Sequence, residues 1–311
     1  MIDICALGEI LIDFTPVKGE GGKHTYEQNA GGAPANLLAA FARFGGKTAF
    51  IGKVGSDMFG DFLTQTLREC NISTAGLCKD SVHNTTLAFV ALDETGDRHF
   101  SFCRNFGADL FLAPEEVNEQ LIKNSRIFHF GSLSLTADPA KSATDRALAI
   151  AKENGCIITM DPNYRKPLWK DERTAAEVMR AYYPKADIVK FSREELELVT
   201  GERDMRAAAK KVLAEGVSLV LVTDGGNGVL YATQKGIGFV PSLKVRAVDT
   251  TGAGDIFFGT FLYALSREKI DLASLSAARI ESAVRYAVKA AGLSTKKKGA
   301  IASIPTYEEV F

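Results

Sequence analysis

The chain has 311 residues, 46% of them hydrophobic, which is enough to bury a large core as one big α/β domain or as two units. Lys and Arg total 37 against 38 for Asp and Glu, and a formal charge of −1 gives no global pull toward nucleic acid or an anionic membrane. No stretch approaches the roughly 18 apolar residues of a spanning helix, MIDICALGEI lacks the features of a secretory signal, and the five cysteines form no C-x-x-C pair; a cytoplasmic protein with neither a disulfide framework nor a zinc site is expected.

Along the chain, Ile2–Leu7 reads as a buried strand. Leu11–Ala30 breaks the pattern, with a strand-like start followed by the Gly-rich segment Lys18–Lys23. Ala33–Phe44 reads as an amphipathic helix, Thr48–Val54 as a strand and Asp57–Cys70 as a helix. Thr85–Arg104 reads as two strands around a turn at Glu94–Gly96, the second placing Phe100, Phe102 and Arg104 on one face. Then come the strands Arg126–Phe130, Cys156–Met160, Asp187–Phe191 and Ser218–Thr223, with helices at Lys141–Asn154 and Asp204–Glu215. That alternation predicts βαβ units and a mostly parallel central sheet flanked by helices. The two irregular segments are expected to pair as a small β-sheet lid over one mouth of the main domain, an ordinary edge hairpin being the alternative. The resulting division is an α/β core of residues 1–10, 31–84 and 105–311, and a lid of residues 11–30 and 85–104.

Familiar phosphate-binding devices are missing. Gly46-Lys47-Thr48 resembles the end of a P-loop, but Phe41 stands where its first glycine belongs. Gly252-Ala253-Gly254 begins like a dinucleotide fingerprint, but Phe257 replaces the third glycine, which disfavours a nicotinamide-dependent oxidoreductase.

The strongest signal is Asp249-Thr250-Thr251-Gly252-Ala253-Gly254-Asp255, followed by the apolar helical run IFFGTFLYAL. Glycines at a helix N-terminus turn successive amides toward one point, a site for the charge on a transferring phosphoryl group. Asp255, in the first turn, is placed to accept a proton from an attacking hydroxyl; an N-cap Asp after a flexible loop is the structural alternative. Elsewhere, Gly31-Gly32 before Ala33-Pro34 fits a tight helix entry that brings backbone close to a ligand. Asp161 ends an apolar strand, where open α/β sheets bind ligands, and Arg165 has the chemistry to clamp a hydroxyl, carboxylate or phosphate. Ser192-Arg193-Glu194-Glu195 is written as a capping box. His129 lies inside an apolar strand and reads as a satisfied core residue.

Taken together, the chain resembles the ribokinase-like (PfkB) sugar kinases over its whole length. Gly8–Asp13 resembles the family's first strand, Gly31–Asn36 its N-terminal signature, Val222–Gly228 its nucleotide loop and Lys297–Ala300 its C-terminal segment. The resemblance implies a ribokinase-like fold and assigns sugar contacts to Asp13, Gly31, Gly32, Asn36, Arg104 and Arg165. It assigns ATP contacts to Ser192, Thr223, Gly225, Gly228 and Gly254, and catalysis to Asp255 with the Gly252, Ala253 and Gly254 amides. Glu195 would help organise Mg²⁺ through water, in parallel with its capping role, and Asp249 with the Thr251 carbonyl would hold a monovalent cation such as K⁺. Val288 departs from the Asn or His that many relatives carry near the nucleotide. Arg104–Asp109, Asp161–Arg165 and Ser192–Glu195 look most like fructokinases. A 2-keto-3-deoxygluconate kinase is the runner-up, although Phe102 stands where a tyrosine hydroxyl would be expected in such enzymes. A non-catalytic sugar sensor is the alternative from another class. An exposed lid edge would allow a two-fold homodimer; no nucleic-acid or membrane partner is expected.

Overall fold

Continuous rather than alternating apolar runs arise where a strand is buried on both faces, as in a parallel sheet covered by helices. The computed structural model describes residues 1–18, 24–92 and 98–311. In chain order it comprises β1 (Ile2–Leu7), β2 (Leu11–Lys18), β3 (His24–Gly31), α1 (Ala33–Arg43), β4 (Thr48–Gly55), α2 (Met58–Glu69), β5 (Ile72–Asp80), β6 (Leu87–Leu92), β7 (Arg98–Cys103), α3 (Glu119–Lys123), β8 (Ser125–Gly131), α4 (Ala140–Glu153), β9 (Ile157–Asp161) and α5 (Glu172–Tyr182). There follow β10 (Ile188–Ser192), α6 (Arg193–Thr200), α7 (Met205–Ala214), β11 (Leu219–Thr223), β12 (Gly228–Thr233), β13 (Gly236–Pro241), α8 (Ala253–Ser266), α9 (Ala277–Ser294) and α10 (Tyr307–Val310). Apart from Lys18, the Gly-rich segment Lys18–Lys23 lies outside the described residues, as does the Glu94–Gly96 turn.

Nine strands form one sheet in the order β13-β12-β11-β10-β9-β8-β1-β4-β5. Every pair from β5 to β11 is parallel, and β12 and β13 close one edge antiparallel. The architecture is therefore the α/β one expected, with a mostly parallel sheet and a second, smaller sheet. That smaller sheet has the order β3-β2-β6-β7, with β2 and β6 parallel and its outer pairs antiparallel.

One core lies on each face of the large sheet. On the first, α8 packs between α1 and α9. It is apolar nearly all round because it is enclosed, with Phe257, Phe258, Phe261, Leu262 and Leu265 all buried. Each such side chain contributes about 1.5–3 kcal/mol on burial. Gly259 makes the approach possible: a Cβ there would strike the carbonyl oxygen of Leu37 in α1. The N-terminus of α8 is thus pinned beside that of α1, at the edge of the sheet where β1, β8, β9, β10 and β11 end. Among the described residues no helix is long and apolar enough to cross a membrane.

Candidate active site

Two glycine turns meet at this edge. Gly32 opens α1 with φ 110°, and a Cβ on it would lie 2.5 Å from the Glu9 carbonyl oxygen, so only glycine fits. Gly252 opens α8 with φ 72°, and its Cβ would lie 2.5 Å from the Cβ of Ala300. Asn36 Nδ2 donates to Asp255 Oδ2 at 2.8 Å, joining the two helices by their functional side chains. Asn36 and Asp255 are both buried, yet Asn36 Oδ1 has no hydrogen-bond partner among the described residues. A buried orphan acceptor of this kind fits a ligand hydroxyl. Beside it, the Asp13 carboxylate sits over Gly31 so closely that any side chain there would collide with it.

Burial pushes the Asp255 carboxyl up to about 6, and the negative charge of Asp161 adds to the rise. The Asn36 hydrogen bond, Lys190 and Arg165 oppose it. The group is thus poised between acid and base close to neutral pH, the condition that favours proton transfer. Asp255 belongs to α8 itself and its carboxylate is held by Asn36; it is not merely a cap.

The amides of the turn divide. Ala253 N–H donates to the Thr250 carbonyl at 3.2 Å, because the positive φ of Gly252 closes a tight turn at that point. Of the three amides expected to form the cradle, Gly252, Ala253 and Gly254, that of Ala253 is held by the Thr250 carbonyl in this structure. Asp249 braces the turn, with Oδ1 accepting Thr251 N–H at 2.7 Å and Oδ2 accepting Gly299 N–H at 3.0 Å.

From this turn a cavity of about 740 Å³ runs outward, lined by Thr223, Gly225, Gly228, Ala253, Gly254 and Val288, among others. Its volume falls in the range of small-molecule sites. Gly225 has φ 48°, and a Cβ on Gly228 would collide with the Val240 carbonyl, so the β11–β12 loop keeps a bare backbone floor. Val288 lies in the cavity wall with Phe257 and Ala291, an apolar surface suited to the face of an adenine ring rather than to its polar edge. Lys244 and Arg246 also line the cavity.

The remaining expected residues are not in the cavity wall. Arg165 is half-buried, with Nη1 donating to the Tyr164 carbonyl at 3.1 Å, and its charge reaches Asp255. Arg104 is buried, and its Nε, Nη1 and Nη2 face Asp109, Thr136 and the Leu133 carbonyl. Ser192 caps α6 and is not in the cavity wall; its Oγ accepts Glu195 N–H at 3.2 Å. Glu195 returns the bond through Oε2 to Ser192 N–H at 2.7 Å and takes Tyr164 N–H through Oε1 at 2.6 Å. Burial, reinforced by Asp161, raises the Glu195 carboxyl above its usual range. Among the described residues no cluster of three or more His, Cys, Asp or Glu side chains could hold a metal.

Two charged groups escape the motif reading. Lys190, within the apolar strand β10, donates to Asp161 Oδ2 at 2.7 Å. Glu9, just past β1, accepts Ala33 N–H at 2.9 Å, and burial lifts its carboxyl to about 7. The signal for both is a charge placed in or directly after a run that should be buried. His129 is a core residue, as expected: its Nδ1 lies 3.0 Å from Thr159 Oγ1, and burial pushes it down to about 4.

A carboxylate poised near neutrality, beside a glycine turn at the end of a nucleotide-sized cavity, defines a phosphotransferase that acts on a hydroxyl. The chain belongs to the pfkB family of carbohydrate kinases, whose model, described as "pfkB family carbohydrate kinase", matches residues 1–307. It is 39% identical over 309 residues to "Probable fructokinase-5" of Arabidopsis thaliana, covering 97% of this chain and 94% of that one. Its structure is similar to that of fructokinase with bound ATP from Xylella fastidiosa, with TM-score 0.92, 35% identity and coverage of 99% and 96% of the two chains. It is also similar to a double mutant of fructokinase from Vibrio cholerae O395 with fructose, ADP and potassium ion bound, with TM-score 0.89, 34% identity and coverage of 100% and 97%.

Proposed function

We propose that this carbohydrate kinase transfers the γ-phosphoryl group of ATP to fructose, giving fructose 6-phosphate and ADP. The observation that carries the reading is Asp255, held by Asn36 where the sugar-side turn meets the end of the cavity. The fructokinase relatives support fructose as the acceptor. In this reading Asp13, Gly31, Gly32, Asn36 and Arg165 hold the sugar, and Arg104 acts through its bonds to Asp109, Thr136 and the Leu133 carbonyl. Thr223, Gly225, Gly228 and Gly254 floor the ATP site, and Ser192 contributes by capping α6. When bound, Mg²⁺ would supply charge to offset the phosphates, and Glu195 would help orient its waters alongside its capping role. Asp255 takes the hydroxyl proton as the sugar oxygen bonds to phosphorus and the bond to ADP breaks. The amides of the Gly252–Gly254 turn stabilise the charge in flight. Residues 11–30 and 85–104 act as the lid on the core of residues 1–10, 31–84 and 105–311, excluding water as a rival acceptor. Its edge strands β3 and β7 offer a route to a two-fold dimer.

The test is ADP release against a panel of sugars. Fructose is expected to give the highest kcat/KM. Preference for 2-keto-3-deoxygluconate would move the substrate assignment, and sugar binding without ADP would favour a sensor.

Two predictions probe the glycine turn. Gly252→Val is expected to lower kcat/KM by about 10²-fold or more and to lower the melting temperature, since a β-branched residue is strained at that φ and meets Ala300. Steady-state kinetics alongside a melting curve check this, and parental kcat/KM would mean the turn does not shape the site. Asp249 and the Thr251 carbonyl are proposed to hold a monovalent cation that firms the same turn. Turnover is expected to be higher in K⁺ than in tetramethylammonium at equal ionic strength, and equal rates would remove the cation site.

A further inference from the structure

We infer that Lys190, clamped by Asp161 against the glycine turn of α8, is a positioning residue that fixes the charge state of the Asp255 base before substrates arrive. The catalytic consequence rests on the kinase reading; the electrostatic one does not.

The parallel register of β9 and β10, with Met160 opposite Val189, sets Asp161 and Lys190 side by side where both strands end. Their side chains are 2% and 7% exposed and 2.7 Å apart. Asp161 is shared, because its other oxygen accepts Asn163 N–H at 3.2 Å, with Asn163 in the left-handed region at φ 46°. Asp161 is thereby fixed from two directions, and so is the ammonium it holds. A Cβ on Gly254 would lie 3.1 Å from Lys190 Nζ. The ammonium therefore rests against the backbone that leads directly into Asp255. Packing does not require a charge here, since an apolar side chain of similar length would fill the space without the cost of burying an ion pair.

The groups facing Asp255 come from several elements. Asn36 on α1 donates to it, Asp161 at the end of β9 repels its charge, and Lys190 on β10 and Arg165 beyond β9 attract it. Glu195 on α6 and Asp161 draw on the same ammonium, and His129 on β8 lies close enough to feel both Asp161 and Lys190. Arg165 is half-exposed, so solvent screens it more than it screens the buried Lys190. Lys190 is thus the fixed cation that lets buried carboxylates coexist beside the anion site.

The test uses Lys190→Met, Asp161→Asn and the double variant. The acidic limb of kcat/KM for fructose is read in parallel with ¹³C-carboxyl titration of Asp255 in the free protein. In the parent, both should fall near pH 6. Lys190→Met should move them upward by about one pH unit or more, with activity about tenfold lower on the acid side and recovered at higher pH. Asp161→Asn should move them downward, and the double variant should return them close to the parent. A purely structural role does not give shifts of opposite sign that cancel. An unmoved titration in a folded Lys190→Met, or displacement in one direction by both single variants, overturns the inference. Should Lys190→Met not fold, Asp161→Asn and the charge-neutral double variant decide it on the same criterion. If the titrations move as stated while the parent forms no ADP with any sugar, the kinase reading fails and the role of Lys190 stands.

Discussion

Asp255→Asn is expected to fold, to bind fructose and nucleotide, and to lose about 10²–10⁴-fold in kcat, the range for removal of a general base. The substitution preserves shape, and an amide oxygen still accepts from Asn36 Nδ2. It removes only the ability to take a proton. Stability should move the other way. The folded carboxyl is raised to about 6 from an ordinary value of 3.8. A group raised in this way supports the fold while protonated and loses that support as pH climbs through its folded value. The parent should therefore fall behind the variant between about pH 4 and 6, and above that the gap should level off on the order of 3 kcal/mol. Coupled ADP release, calorimetric fructose binding and melting curves from pH 5 to 8 check all three expectations. A kcat within tenfold of the parent would remove Asp255 from the chemistry.

Such separation of function from stability follows from the way the site is built. Asp255, Asn36 and the two glycine turns stand at helix N-termini whose positions are fixed by apolar packing behind them, α8 against α1 through Gly259. The chemistry sits at the ends of elements, and the stabilising area lies along their lengths.

The same division explains what the sequence discloses. Every strand and helix of the α/β core read from apolar periodicity, from Ile2–Leu7 to Ser218–Thr223, lies within one residue of its observed ends. Burial on both faces leaves little ambiguity in such runs. Strand β5 is hidden because it is an edge, and ISTAGLCKD mixes exposed and buried positions. In α9 the buried stripe includes Ala283, Ala287 and Ala290, which carry too little apolar contrast to stand out. The glycine turns and Asp255 are legible because backbone geometry restricts which residues can stand there. Lys190 and Glu9 are not legible by motif, since what defines them is a partner distant in sequence: Asp161 for one and the Ala33 amide for the other. The Ala253 amide is the sharpest case, because three neighbouring amides look equivalent in sequence until the φ of Gly252 turns the middle one inward.

Arg104→Met is expected to cost about 3–5 kcal/mol of stability, the usual penalty for breaking a buried ion pair from one side. Resemblance places this arginine among the sugar contacts, but its surroundings give it a prior duty. Nε donates to Asp109 at 2.8 Å, Nη2 to the Leu133 carbonyl at 2.9 Å and Nη1 to Thr136 Oγ1 at 3.0 Å. Asp109 also accepts the Thr86 hydroxyl at 2.5 Å and is itself buried, so loss of the guanidinium strands a carboxylate away from water. The arginine follows Cys103 at the end of β7, and its bonds tie the small sheet to the Leu133–Thr136 turn of the core. Adding Asp109→Asn to Arg104→Met removes the stranded charge, and the double variant should regain much of the lost stability. Fructose KM distinguishes brace from ligand. A brace predicts that KM recovers together with the melting temperature in the double variant. A direct sugar ligand predicts a KM that stays high in both variants while stability returns, and that outcome would place Arg104 in contact with the substrate.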